Sequence, residues 1–371
     1  MFRCLFRDLA DHGCGLDDTL RTLGDFLHRV ADVRNLSLDL VDHVHDALEL
    51  RAHGADGGCA FLHFVRAALH GSDSLGGITL DACNALLDLV GCLAGLLGGL
   101  LAVVGFAAVA LIWYLFVFTE TGQLMEHAAL VGSRIGSRFV SAQARTLLHV
   151  VSLPAAVALV LLILVVGLWR GSRRRGAWAA AAVVATNASA QALKYWALVR
   201  PDYGLSQRSD GGNTLPSGHT ALAASAAVAL ILVAGPRWRS LSAWVGALFT
   251  AAMGYSTLVN QWHRPGDVIA AILLAAAWGC AAIACGAWRR DVDEGLEPVR
   301  LTGLGSLALL GVVCALVGAG LEVRTWRDAA ELAGRTDTFL AYAAGSAGTL
   351  AVACLSMAAI AALTSVGSGR R

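Results

Sequence analysis

His263 and Asp267 stand four residues apart around Arg264, Pro265 and Gly266. That spacing puts an imidazole and a carboxylate on one helix face, and Pro265 suits the first turn of such a helix. A neighbouring carboxylate fixes the imidazole tautomer and raises its basicity. A second histidine, His219, closes the run Pro216, Ser217, Gly218. Proline again fits a helix start, and glycine lets a ligand approach the backbone. The free N–H groups of that turn and the helix dipole favour an anion, and Ser217 adds a hydroxyl donor. The third segment runs from Lys194 to Arg200-Pro201. Lys194 is the single lysine among 28 basic residues. Lysine and arginine supply fixed positive charge, and the planar guanidinium suits phosphate oxygens. Two histidines, one with a carboxylate partner, beside a cationic, N–H-lined hollow would serve a phosphoryl group with a charge-dispersed transition state.

These segments interrupt a chain built for lipid. Of 371 residues, 57% are hydrophobic and 15% charged, against roughly 45–50% and about 25% in soluble domains. The apolar residues gather in runs of about 17–25, enough to cross a bilayer as helices. We expect eight spans: Leu96–Phe118, about Leu147–Trp169, Ala177–Leu193, Thr220–Ala234, Leu241–Val259, Val268–Trp288, Leu304–Leu321 and Phe339–Val366. Glycine and alanine are abundant, as close helix packing in lipid requires; the glycines of 95–99 read as packing. Thr119–Arg145, with Glu120, Gln123, Glu126 and His127, reads as a solvated polar loop between the first two spans; Glu120, Glu126 and His127 roofing the pocket is the other reading.

Arginines cluster beside span ends at Arg170–Arg175, Arg237/Arg239, Arg289/Arg290 and Arg370/Arg371. The positive-inside rule therefore puts both termini in the cytoplasm. Lys194, His219 and His263 then meet at the extracytoplasmic face, where ionisable groups are functional candidates. Residues 1–88 hold seven of the eleven histidines and are expected to form a cytoplasmic or poorly ordered extension; a start codon chosen too far upstream is another reading. The core is expected over 89–290, with two additional spans and a tail over 291–371.

In order and spacing, the three segments resemble the type 2 phosphatidic acid phosphatase superfamily, in its membrane lipid phosphatase branch. Its pattern is K-x6-R-P, then P-S-G-H, then S-R-x5-H-x3-D. Lys194, Arg200 and Pro201 match the first, and Pro216 to His219 the second. The third reads Ser256, Thr257, His263 and Asp267, with Thr257 where the family has arginine. The resemblance covers roughly residues 95–290. It implies an all-α, polytopic helical bundle with a six-helix phosphatase core, here followed by two extra C-terminal helices. It also implies a mechanism. His263 would attack phosphorus to form a phosphohistidine, Asp267 would orient it, and His219 would protonate the leaving oxygen. Lys194, Arg200, Ser217 and Gly218 would hold the phosphoryl oxygens without a metal or other cofactor. Thr257 would donate a weaker bond than arginine. Arg264 is the candidate replacement, although neighbours on a helix point about 100° apart.

The substrate expected on this basis is a lipid phosphate or diphosphate, such as phosphatidic acid or a polyprenyl diphosphate, hydrolysed at a plasma membrane. Two other functions compete: a catalytically weak lipid-phosphate binding or transport protein, motivated by Thr257, and a phosphotransferase passing its group to an alcohol. A near-neutral net charge gives no case for nucleic acid. The nine cysteines form no C-x-x-C pair, and those inside apolar runs read as small buried hydrophobes.

Overall fold

A computed structural model describes residues 93–150, most of 157–165, 173–205, 212–287, 301–328 and 334–366. The extension expected over residues 1–88 lies outside them, as does most of the expected second span. The described residues are helical apart from short connections. We label the helices α1 (Leu93–Phe118), α2 (Glu120–Val150), α3 (Arg173–Ala192), α4 (Gly218–Val233), α5 (Pro236–Val259), α6 (Pro265–Ala282), α7 (Leu301–Arg327) and α8 (Arg335–Val366). Single π-turns close α1, α3 and α6 at Trp113–Phe118, Leu193–Ala197 and Ile283–Ala287.

Five of these helices, α1 and α5 to α8, contain stretches long and apolar enough to cross a membrane. α4 is apolar but has 16 residues. α3 carries Arg173–Arg175, Asn187 and Gln191 and is less apolar. α4 still occupies the interior, and α3 buries one side against it and leaves Val184 exposed. α4 packs against α3, α5 and α6, and α8 packs along α2, α5, α6 and α7. Their contacts are made by small and branched residues: Ala224, Val228 and Ile231 of α4, Ile272 and Ala275 of α6, Ala353, Met357 and Ile360 of α8. Lipid tails are as apolar as leucine, so close van der Waals contact rather than water exclusion favours such packing. α1 and α7 are peripheral, with Leu100, Val103, Leu309 and Leu316 exposed.

One end of the bundle is tied by Arg239, whose Nη1 donates to Thr364 O at 2.9 Å, and by Trp244, whose Nε1 donates to Gly303 O at 2.8 Å. The opposite end holds the three polar segments and α2. The stretch expected to be a solvated loop over Thr119–Arg145 is instead the greater part of α2. Its polar residues divide along the helix axis. Arg134, Arg138 and Arg145 are exposed, whereas Gln123, Met125, Glu126, Ala128, Ala129 and Leu130 are buried. The buried residues lie against the ends of other helices. Leu130 packs with Leu258 and Tyr342, Leu148 with Ala223 and Met253, and Gln261 Nε2 donates to Leu130 O at 3.1 Å. An amphipathic helix laid over polar helix ends satisfies the same residues that solvent would have satisfied around a loop.

Candidate functional site: a cationic cluster at the helix ends

The segment before α6 is shaped by the end of α5. Asn260 caps that helix and Gln261 follows with φ +59°. Gln261 N–H donates to Leu258 O and Trp262 N–H to Thr257 O, both at 2.9 Å. This is the Schellman pattern of a helix C-terminus. It reverses the chain so that His263 follows within two residues, its N–H directed at the same Thr257 carbonyl at 3.4 Å. Thr257 thus helps place His263 through its backbone. Its side chain is fully buried, and its Oγ1 donates to Gly254 O at 2.7 Å within α5.

Arg264 is extended (φ −94°, ψ 163°) and precedes the first residue of α6, Pro265. The 100° separation of helical neighbours therefore does not govern His263 and Arg264. Asp267 sits in the first turn with a side chain 1% exposed. Its Oδ2 accepts from the Arg264 N–H at 3.1 Å and meets His263 Nδ1 at 3.2 Å. An imidazole whose Nδ1–H is held by a carboxylate presents Nε2 as its lone pair.

Ser217 caps α4 and links two of the segments. Its N–H donates to Asp267 O at 2.9 Å, while its Oγ accepts from Thr220 Oγ1 at 3.0 Å. The first turn of α4 therefore starts against the first turn of α6, and Gly218 and His219 lead it. His219 lies ahead of the apolar run that begins at Thr220. Its ring centroid is 5.6 Å from that of Trp262, the residue before His263. Burial, then the charges of His263 and Lys194, push the His219 imidazole below its ordinary range. Lys194 reaches this neighbourhood from the π-turn that closes α3.

The Arg200 segment is held from several sides. Trp113 Nε1 donates to Val199 O and Tyr203 Oη to Phe118 O, each at 3.0 Å. Asn213 Nδ2 spans Leu198 O and Leu215 O at 3.4 and 3.0 Å. Arg200 Nη2 donates to Gln123 Oε1 at 2.9 Å, while its buried Nη1 has no partner. Arg264 resembles it: Nη1 donates to Thr214 Oγ1 at 3.3 Å, and the buried Nε is unpartnered. Burial, then the Arg264 charge, lower the Arg200 guanidinium from its usual value. A buried donor left unpaired costs about 1–3 kcal/mol, so the spare donors of these two guanidinium groups could receive an anion.

The structure thus gathers Lys194, Arg200, Ser217, Gly218, His219, His263, Arg264 and Asp267 at one end of the bundle. The Thr257 hydroxyl is turned away into α5. Three further residues enter: Gln123 and Thr214, which sequence reasoning did not single out as site residues, and Glu126, which it weighed only as part of a loop over the pocket. The signal for Gln123 was its i, i+3 spacing to Glu126. Thr214 carried none. Among the described residues, no three His, Cys, Asp or Glu side chains gather closely enough to hold a metal ion.

A model of the PAP2 superfamily matches residues 175–291. The match spans α3 to α6 and all three polar segments; α1, α2, α7 and α8 lie outside it. No curated protein and no solved structure matches the chain.

Proposed function

We propose that this protein is an integral-membrane phosphatase of the PAP2 type, hydrolysing a lipid phosphate or diphosphate. The observation that carries the reading is the pair of spare guanidinium donors, Arg200 Nη1 and Arg264 Nε, beside the His263–Asp267 couple. His263 Nε2 attacks phosphorus, and the bond to the lipid oxygen breaks. His219 gives that oxygen a proton. Water then attacks the phosphohistidine, returning His263 and releasing phosphate, with His219 as base. Asp267 holds His263 in the attacking tautomer and balances its developing charge. Arg200, Arg264, Lys194, Ser217 and the N-terminal turn of α4 hold the phosphoryl oxygens. In this reading Arg264 fills the electrostatic place that Thr257 leaves empty.

The surroundings support a lipid substrate. Tyr195, Trp196 and Trp262 are exposed around the polar segments, where tryptophan and tyrosine favour a membrane–water interface. A head group can then enter the hollow while its tail stays in the bilayer. The arginine distribution supports an extracytoplasmic site.

Purified protein should release phosphate from phosphatidic acid or farnesyl diphosphate in detergent with chelator present. His263→Ala should abolish this, and full activity in that variant would overturn the reading. The buried Thr257 hydroxyl keeps a second reading open, a lipid-phosphate binder that turns over slowly. Saturable vanadate binding without phosphate release would select it.

A further inference from the structure

We propose that Gln123 and Glu126, one turn apart on α2, are positioning residues of this phosphoryl site, Gln123 for the Arg200 cation and Glu126 for the turn that presents His263 and Asp267. The inference rests on the phosphatase reading and deepens it. It lies in a helix outside the family match.

Gln123 is 1% exposed, and its amide has one workable orientation. Nε2 donates to Val117 O at 2.7 Å and to Pro201 O at 2.8 Å. Both hydrogens are thereby used, and Oε1 is left to accept from Arg200 Nη2. A flipped amide would set its oxygen against two carbonyls and its N–H groups against a guanidinium. Gln123 thus locks the Arg200 fork at one nitrogen and at the next residue's carbonyl. Arg200 Nη1 is left over for an incoming oxygen.

Glu126 is 5% exposed, and its Oε1 accepts from the Gly266 N–H at 2.9 Å. Gly266 is the second residue of α6, between Pro265, which has no N–H, and Asp267. A carboxyl from another helix therefore caps the turn whose next residue steers His263. The close approach explains the glycine. A Cβ at 266 would stand 3.1 Å from Glu126 Oε1 and 3.3 Å from its carboxyl carbon, tighter than side chains tolerate without displacement. The i, i+3 spacing lets one rigid helix face hold both the phosphate-binding cation and the nucleophile-bearing turn. Sub-ångström placement of such groups governs rate.

The experiment uses full-length protein in detergent. kcat and KM for farnesyl diphosphate and the affinity for orthovanadate are measured in wild type, Gln123→Leu, Glu126→Ala, Glu126→Gln and the exposed control Glu120→Gln. Gln123→Leu should weaken vanadate binding and lower kcat/KM about tenfold. Glu126→Ala should lower kcat ten- to a hundredfold with KM within threefold. Glu126→Gln keeps an acceptor for Gly266 and should recover most of that loss, and Glu120→Gln should match wild type. If Glu126→Ala is not monodisperse, Glu126→Met fills the same volume without a comparable acceptor and takes its place. Wild-type turnover with both α2 variants within twofold of it would overturn the inference and leave the phosphatase standing. Equal damage in Glu126→Gln and Glu126→Ala would also overturn it. Wild-type protein that neither releases phosphate nor binds vanadate would remove the phosphatase reading and this inference together.

Discussion

α2 and α6 meet at the same site but are built on opposite plans. α6 is an apolar helix whose chemistry is concentrated at its N-terminal end: Arg264 caps it, Asp267 lies in its first turn, and His263 precedes it. Beyond that turn its residues are buried among other helices. α2 has no exposed residue from Thr121 to Ser133, the half that carries Gln123 and Glu126, and presents Arg134, Arg138 and Arg145 to solvent in its second half. In the proposed mechanism the segment leading into α6 supplies His263 and Arg264 to the phosphoryl centre, with Asp267 behind His263, whereas α2 supplies Gln123, which holds Arg200, and Glu126, which holds the Gly266 N–H beside Asp267. A helix can therefore belong to a site without presenting any residue to the ligand. Its contribution is the elimination of alternative positions for groups that do.

This contrast sets a hierarchy of effects. The largest belongs to α6 and its leader. His263→Ala should lower kcat by at least about a thousandfold, because loss of a nucleophile leaves only binding and electrostatics. Asp267→Asn should cost on the order of a hundredfold or more by unsettling the imidazole tautomer. Phosphate release in a single-turnover assay measures both. A Gln123 or Glu126 variant as damaging as His263→Ala would break the proposed division of labour.

Arg264 and Thr257 sharpen it next. Removal of one preorganised charge-stabilising donor typically costs about 10²–10³ in kcat. Arg264→Ala should fall in that range, with Arg264→Lys recovering part because it keeps charge and loses the fork. Thr257→Arg should gain less than threefold in the wild-type background. Its side chain is fully buried and hydrogen-bonded to Gly254 O, and in the proposed mechanism Arg264 already supplies the guanidinium it would add. A large gain from near zero would show that Arg264 does not fill the place and would favour the slow binder. Steady-state kinetics on the single variants and on the Thr257→Arg, Arg264→Ala double variant separate these outcomes.

What sequence made legible follows the same division. The segments carrying His219, His263 and Asp267 could be read because each is a local pattern of proline, glycine and ionisable residues at a helix start. The all-helical, membrane-type architecture followed from long apolar runs, which the described α1, α5, α6, α7 and α8 contain. α2 was misread because polarity was equated with hydration. Gln123 and Glu126 are polar for the sake of other buried polar groups, and such partners lie 78 and 140 residues away. The helical angle set against Arg264 does not apply, because that residue has extended backbone before α6. Thr257 was weighed by its side chain, whereas its carbonyl carries the chain reversal that delivers His263.

The smallest effect concerns the ionisation of Glu126, and it tests whether α2 is truly sealed against the site. Burial first, then the negative charge of Asp267, push this carboxyl up to about 8, against the opposing pull of Arg264 and the Gly266 N–H. Glu322 of α7 adds to the rise, and Arg200 faces the same cluster from the α3–α4 connection. The unfolded chain releases this proton near pH 4.5, so between about 4.5 and 8 the folded state holds the extra proton. Stability must therefore fall with rising pH across that window. The contribution is complete below the unfolded value and is lost as pH climbs through the folded one. Glu126→Gln has no proton to lose. Its melting temperature relative to wild type should rise between pH 5 and pH 8, by on the order of 5 °C, and level off above. Parallel melting curves for the two proteins across that range would mean that Glu126 is hydrated, and that α2 does not close over the first turn of α6.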